Sequence, residues 1–229
     1  MTVTTTHLTR AAGVAAAVGG LLFIAVQIKH PSLDVTFATT TEWQVREGMK
    51  VLFAGLSLVG ITGMYLRQVK QIGVLGLLAY LLLSVGYLAM MGVEVVGAVV
   101  LPAIAHSSPA YVADVLAVAT GGHASGDIGL MAPLISVMGV GFIGGGLLFG
   151  IALYRANVLA RWASVLLAGA AVATAARAVL PQLNERLFAI PTGVALIGLG
   201  YSLWRSQRLL ARQPASALVS PQLDPAGAK

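Results

Sequence analysis

Long apolar runs separated by short polar segments make up most of this chain. An α-helix rises about 1.5 Å per residue, and a bilayer has a hydrocarbon core about 30 Å thick, so a run of about 20 residues can cross it. The pattern therefore predicts an all-α, polytopic membrane bundle with six transmembrane helices. The predicted spans are residues 11–28, 49–66, 72–97, 128–154, 160–180 and 187–204.

The clearest span, residues 128–154, contains no charged residue and no histidine. Within it, Gly139-Val-Gly141-Phe-Ile-Gly144 matches the glycine fingerprint of dinucleotide-binding sites. That site also needs a preceding strand and an acidic residue about 20 positions later, and this apolar run supplies neither. Glycines four residues apart instead let a neighbouring helix approach closely. The spacing predicts helix packing at Gly141, Gly145, Gly146 and Gly150.

The connections between the spans carry their own signals. The polar loop before the second span ends in Thr41-Glu42-Trp43-Gln44, which has the spacing of a capping box and favours an interfacial position for Trp43.

The third apolar run has Glu94 as its one charge and extends to Ala105, which is too long for a single crossing. Its helix therefore either projects past the membrane or breaks near Pro102. After it, Ser108-Pro109 begins a segment predicted to form a short helix on the outer membrane surface.

Basic residues set the predicted orientation, because cytoplasmic loops carry an excess of Lys and Arg. One side would hold Arg10, Arg67, Lys70, Arg155, Arg161, Arg205, Arg208 and Arg212; the other would hold Lys29, Arg46, Lys50, Arg177 and Arg186. We therefore expect an inner (plasma) membrane protein with both termini in the cytoplasm. Residues 1–10 form the cytoplasmic N-terminal segment, 11–205 the transmembrane domain, and 206–229 a disordered cytoplasmic tail.

Composition agrees with a membrane protein: 58% of the residues are hydrophobic and 10% are charged, against about 25% charged in soluble domains. The net charge of +6 comes from short clusters beside the spans, which indicates orientation rather than nucleic-acid binding. The chain has no cysteine, and this excludes disulfides, thiol nucleophiles and thiolate-bound metals. The expected partners are the lipid bilayer and either a partner membrane protein or further copies of the chain.

Two motifs carry a resemblance to a known group of proteins. Arg10-Ala-Ala-Gly13 opens the first span, and Gly146-Leu-Leu-Phe-Gly-Ile-Ala-Leu-Tyr-Arg155 is followed by Leu159-Ala-Arg-Trp-Ala163. In these motifs the chain resembles uncharacterised bacterial six-span integral membrane proteins, grouped as domains of unknown function. The resemblance implies the six-span architecture and no specific activity.

The third span carries the strongest candidate for chemistry. Tyr80, Tyr87 and Glu94 follow one another at intervals of seven residues, so they lie along one helix face. Arg177 falls at a similar outer depth and is the first candidate partner of Glu94, with Arg46 and Lys50 as alternatives. Glu94 would then be a binding or proton-coupling acid for a small solute, with the tyrosines lining its path. The structural alternative is a tertiary ion pair, or a side chain that reaches out to water.

A second constellation lies in the predicted outer loops: His30, His106, His123 and Asp127, with Asp34 and Asp114 as further carboxylates. Two or three imidazoles and a carboxylate suit zinc, and two imidazoles from different helices can hold haem. No metal-binding motif of the HExxH type is present, and loop histidines are commonly just solvated.

The sequence favours a non-enzymatic integral membrane protein whose outer polar surface binds a small ligand or a partner protein. The first alternative is a small-solute or proton-coupled transporter that uses Glu94 and Arg177. The second is a metal- or haem-dependent membrane enzyme. The sequence does not select a substrate or a catalytic residue.

Overall fold

The computed structural model describes residues 4–28, 31, 33–176 and 189–211, with side chains described up to residue 206. All regular structure in these ranges is helical. The helices are α1 (Thr5–Gln27), α2 (Val35–Ala38), α3 (Thr41–Arg67), α4 (Val69–Val95), α5 (Leu101–Ile104), α6 (Pro109–Ala119), α7 (Met131–Ala156), α8 (Arg161–Ala176) and α9 (Ala189–Ala211).

The long helices form a closed ring in which each one packs against two neighbours. The order around the ring is α1, α3, α4, α7, α8 and α9, and α9 contacts α1 again. Large apolar side chains point both inward, as Phe53 and Leu196 do, and outward, as Val74 and Val140 do. A helix that is apolar all round is typical of a membrane span. Within the described residues, four helices are long and apolar enough to cross a bilayer: Thr5–Gln27, Thr41–Arg67, Val69–Ile104 and Met131–Ala156.

Glycines allow the tightest contacts in the ring. A Cβ atom placed on Gly141 of α7 would lie 2.6 Å from the Cα of Gly86 in α4, and one placed on Gly145 would lie 2.5 Å from the Cα of Leu83. On another face of α7, a Cβ on Gly150 would lie 2.8 Å from the carbonyl oxygen of Ser164 in α8. Gly146 has a looser environment: its nearest neighbour would be the Ala171 Cβ at 3.7 Å.

Helix α4 is irregular near both ends. Gly73 has φ 64° and ψ −170°, a conformation that breaks the helix after its first turn and that favours glycine. At the other end, a π-helical turn at Val96–Val100 joins α4 to α5. Pro102 lies in the first turn of α5, which ends at Ile104, and it has no N–H group to donate to the preceding turn. Of the two alternatives for this run, the structure shows a helix that continues through Pro102 to Ile104, with a π-helical turn before the proline and no break at it.

A second apolar cluster covers the bundle where α3 begins and α4 ends. It contains Phe37 and Ala38 of α2, Leu101 of α5, and Val112 and Leu116 of α6. The loop at residues 120–130 closes the cluster over the start of α7. We call α2, α6 and this loop the cap.

Several boundaries differ from those expected from hydropathy. Helix α3 begins at Thr41, where the expected span begins at residue 49, and its cap is Thr40, whose hydroxyl accepts the Trp43 N–H at 3.1 Å. Trp43 points into the protein, with 3% of its surface exposed, and its expected depth at the membrane interface stays a prediction. Helix α9 continues to Ala211 into the segment assigned to the tail; residues 212–229 lie outside the described residues.

Candidate functional site

The two ends of the bundle differ in charge. We call one end the basic end; there, Arg10 of α1 lies over the Trp204 ring of α9, and Arg161 of α8 lies over the Tyr154 ring of α7. Its described basic residues are Arg10, Arg67, Lys70, Arg155, Arg161 and Arg205. We call the other end, under the cap, the acidic end. The described carboxylates all belong to it: Asp34, Glu42, Glu47, Glu94, Asp114 and Asp127.

At the acidic end, three ionisable side chains from two helices form one cluster. The Lys50 Nζ of α3 lies 2.6 Å from Glu47 Oε1, one turn earlier on the same helix. The same ammonium lies 3.3 Å from Glu94 Oε2 of α4. We call Glu47, Lys50 and Glu94 the charged cluster. It connects two antiparallel helices that are adjacent in the ring.

The π-helical turn helps to fix Trp43 above the charged cluster. In this turn the Leu101 N–H bonds to the Val96 carbonyl, five residues back, and Pro102 has no N–H to offer. The Gly97 carbonyl is then left without its usual backbone donor, and the Trp43 Nε1–H donates to it at 2.7 Å. The Lys50 ammonium lies 5.8 Å from the centre of the Trp43 ring, within the range of a cation–π interaction.

Access to water differs within the charged cluster. The Glu47 side chain is 3% exposed, whereas that of Glu94 is 13% and that of Lys50 is 20% exposed. Glu47 also lies against Gly97, where an added Cβ would come within 2.9 Å of its Oε2. When all three groups are ionised, two carboxylates face one ammonium, and the cluster has an excess of one negative charge. It can therefore take up a proton or a small cation.

Among the described residues, the partner of Glu94 is Lys50, one of the two alternative partners. Arg46, the other alternative, pairs with Glu42 at 2.7 Å and donates to the Val26 carbonyl at 2.7 Å, at the C-terminal end of α1. It thereby joins α1 to α3. Arg177 lies outside the described residues, so its pairing with Glu94 stays a prediction.

The two tyrosines on the Glu94 face of α4 lie inside the bundle, in different surroundings. Tyr87 is 1% exposed, and its ring meets those of Phe53 and Phe142 edge to face at 5.7 and 5.8 Å. Tyr80 is half-buried; its hydroxyl lies 3.1 Å from Thr62 Oγ1. The seven-residue spacing separates these levels by about 10 Å, so the tyrosines do not contact the charged cluster through α4 directly.

The outer histidines do not meet as a metal site within the described residues. His106 and His123 are both exposed, and no group of three or more His, Asp or Glu side chains in the described ranges could hold an ion. Asp114 accepts the Ser125 and Gly126 N–H groups at 2.8 and 2.9 Å, and Asp127 accepts the Gly129 N–H. These carboxylates therefore order the cap loop. His30 lies outside the described residues.

Sequence reasoning missed Glu47, the most buried member of the charged cluster. In the sequence, Glu47 falls in the polar segment before the second apolar run, and this position predicts a loop residue rather than a buried one. The available signal was the interval of three between Glu47 and Lys50, a spacing that pairs side chains on a helix, together with the capping motif predicted at residues 41–44.

No protein-family model, curated protein or solved structure matches the chain. The case for function therefore depends on the geometry of the site.

Proposed function

We propose that this chain is a six-span inner-membrane protein in which α1, α3, α4, α7, α8 and α9 cross the bilayer and the basic end faces the cytoplasm. We further propose that the charged cluster binds and releases a proton on the outer side, as the coupling site of a small-solute transporter. The excess of basic residues at one end supports the orientation.

The observation that carries the coupling role is the position of the Lys50 ammonium between two carboxylates, Glu47 and Glu94. An unpaired carboxylate away from water is costly, so the excess negative charge favours the uptake of one proton. Coupling needs a group that is sometimes neutral and sometimes charged. Glu94 and Lys50 have the contact with water needed for exchange, and buried Glu47 does not.

The structure around the cluster favours a functional site over an ion pair that only stabilises the fold. The cluster joins α3 to α4 next to a π-helical turn, a feature that often lies at functional sites. Trp43, which lies beside the Lys50 ammonium, also packs against Phe37 of α2, so movement of α2 would change the access of the cluster to water. Tyr80 and Thr62 supply further hydroxyl groups deeper between the same two helices.

The first experiment measures protonation directly and needs no substrate. Infrared difference spectra of the purified protein in lipid at neutral pH should show the C=O band of a protonated carboxylic acid. Glu47→Gln or Glu94→Gln should remove it. Glu42→Gln is the matched control, because Glu42 is on the same helix and is paired, but its side chain is 53% exposed. Absence of the band, or its persistence in both cluster variants, would refute proton binding here.

The second experiment tests coupling. In proteoliposomes with a pH-sensitive dye, a transported solute should drive proton movement that is lost in Glu94→Gln and retained in Glu42→Gln. If the cluster is only a structural ion pair, Glu94→Gln should lower the stability of the protein, and removal of Lys50 in the same variant should restore part of that stability. In that case no solute should drive proton movement in the wild type.

The cap carries a second candidate function, the binding of a ligand, metal or partner at the outer surface. Its support is the exposure of His123, which lies on the loop that Asp114 holds in place, and of His106, which lies just before α6. Elemental analysis and an ultraviolet–visible spectrum of the purified protein test the metal version. Stoichiometric zinc or a haem band, lost in His123→Ala, would favour a metal site; a colourless, metal-free protein would remove it.

A further inference from the structure

A groove runs along the surface between α1 and α3 towards the basic end. Its volume is about 290 Å³. Leu8, Thr9 and Ala12 of α1 form one wall, and Leu58, Thr62 and Leu66 of α3 form the other. The rim is open, since Leu8 is 61% and Leu66 is 63% exposed. The groove is therefore accessible from the lipid.

The groove offers no free polar group to an occupant. The Thr9 hydroxyl donates to the Thr5 carbonyl at 2.8 Å. The Thr62 hydroxyl donates to the Leu58 carbonyl at 2.7 Å and also contacts the Tyr80 hydroxyl. Because both hydroxyl groups are satisfied within the protein, the remaining surface is apolar. An acyl chain fits that surface better than a polar solute does.

At the basic end, an arginine with an unused donor follows the groove. Arg67 comes four residues after Gly63, and Gly63 lies against Ala12 of α1, so Arg67 lies one turn further along this face. Its Nε is buried and has no hydrogen-bond partner. This atom is out of reach of a lipid, but Arg67 as a residue is only partly buried, and a guanidinium also carries Nη donors that can bind a phosphate oxygen.

The described part of the chain supplies no carboxylate that would balance the charge at this end. None of the carboxylates in the described ranges lies at the basic end, where Arg10 and Lys70 accompany Arg67. Basic side chains next to a membrane surface attract anionic lipids, with about 1 kcal/mol for each Lys or Arg. The apolar groove thus matches the acyl chain of an anionic lipid, and the adjacent positive charge matches its headgroup.

We propose that an anionic phospholipid binds at the basic end, with one acyl chain in the α1–α3 groove and its phosphate against Arg67. This site lies at the opposite end of the bundle from the charged cluster, and its occupancy does not depend on proton coupling.

The test is native mass spectrometry of the full chain in detergent, with phosphatidylglycerol and phosphatidylcholine that have the same acyl chains. We expect phosphatidylglycerol to bind at least fivefold more tightly, and Arg67→Gln to weaken it about fivefold, as expected for the loss of one charge contact. Arg161→Gln is the matched control at the same end, because Arg161 lies over Tyr154 and away from the groove. An equal effect of both substitutions would overturn the site in favour of general charge attraction.

A second pair of variants tests the groove itself. Val59→Trp should fill it and weaken the binding of both lipids, whereas Val172→Trp on α8 should not; the two valines are similarly exposed, at 51% and 54%. Inorganic phosphate should not displace the lipid, because it lacks the acyl chain. Unchanged binding in Val59→Trp, or full displacement by phosphate, would overturn the proposal. Matching helical circular dichroism spectra establish that each variant is folded.

Discussion

Gly86 of α4 lies against α7 with no side chain between the two backbones, whereas Glu94, two turns further along the same helix, meets Lys50 of α3. The first contact is held by dispersion between close backbones, and it tolerates no added atom. The second is held by opposite charges away from water, and it tolerates no missing partner. One helix therefore makes two kinds of buried contact. Added atoms should disrupt the first, and removal of one partner should disrupt the second.

The largest effect should come from removing the ammonium. Lys50→Met leaves Glu47 and Glu94 facing each other under the cap, and breaking a buried ion pair typically costs about 3–5 kcal/mol. We expect a loss of this size in the free energy of unfolding, measured by titration of the micellar protein with sodium dodecyl sulfate. Lys70→Met is the control, because Lys70 is exposed at the start of α4. Equal small losses in both variants would contradict a buried cluster.

Adding atoms to the glycine contact should have the next largest effect. Gly145→Val places a side chain where the Leu83 backbone lies 2.5 Å away, so α4 and α7 must separate; overpacking typically costs about 1–3 kcal/mol. Gly139→Val, on the same helix, meets nothing within 4 Å and should change the free energy of unfolding little. If the two substitutions destabilise equally in the same titration, helix propensity rather than close packing determines the result.

The glycine contact could be predicted from sequence because its signal is local. Four-residue spacing puts Gly141 and Gly145 on one face whatever the partner is. The long helices were also predictable to within several residues, since an apolar run long enough for a bilayer has few other structures available. The identity of the partner, α4, was not predictable, because nothing in the spacing says which helix lies opposite.

The charged cluster could be predicted only in part. Hydropathy counts Glu47 as polar and therefore starts the span after it, at residue 49, but a helix can bury such a residue when a partner such as Lys50 neutralises it. The described partner of Glu94 lies 44 positions earlier in the chain, so only tertiary packing selects Lys50 over Arg46. Helix α2 is too short to give a periodic hydrophobic signal in the sequence. The burial of Trp43 depends on packing against α2, so it could not be predicted either.

A substitution at Trp43 measures how much its hydrogen bond to the π-helical turn stabilises the contact between α3 and α4. Trp43→Phe keeps an aromatic ring beside Lys50 but leaves the Gly97 carbonyl without its donor, and an unsatisfied buried group typically costs about 1–2 kcal/mol. The same substitution at Trp162, which is 58% exposed, should cost less. The free energies of unfolding of the two variants make the comparison. Equal values would mean that the hydrogen bond adds nothing to the contact.

The smallest effect should come from the cap. Asp114→Ala removes the acceptor of two loop N–H groups, Ser125 and Gly126, while the apolar contacts of α6 remain. We expect global stability to change by about 1 kcal/mol or less, and amide hydrogen exchange at residues 121–129 to become faster. Asp127→Ala, which removes the acceptor of the Gly129 N–H alone, should have a smaller effect. If exchange also rises around Lys50, the cap and the charged cluster open together; if it rises only in the loop, the cluster remains closed by the helices themselves.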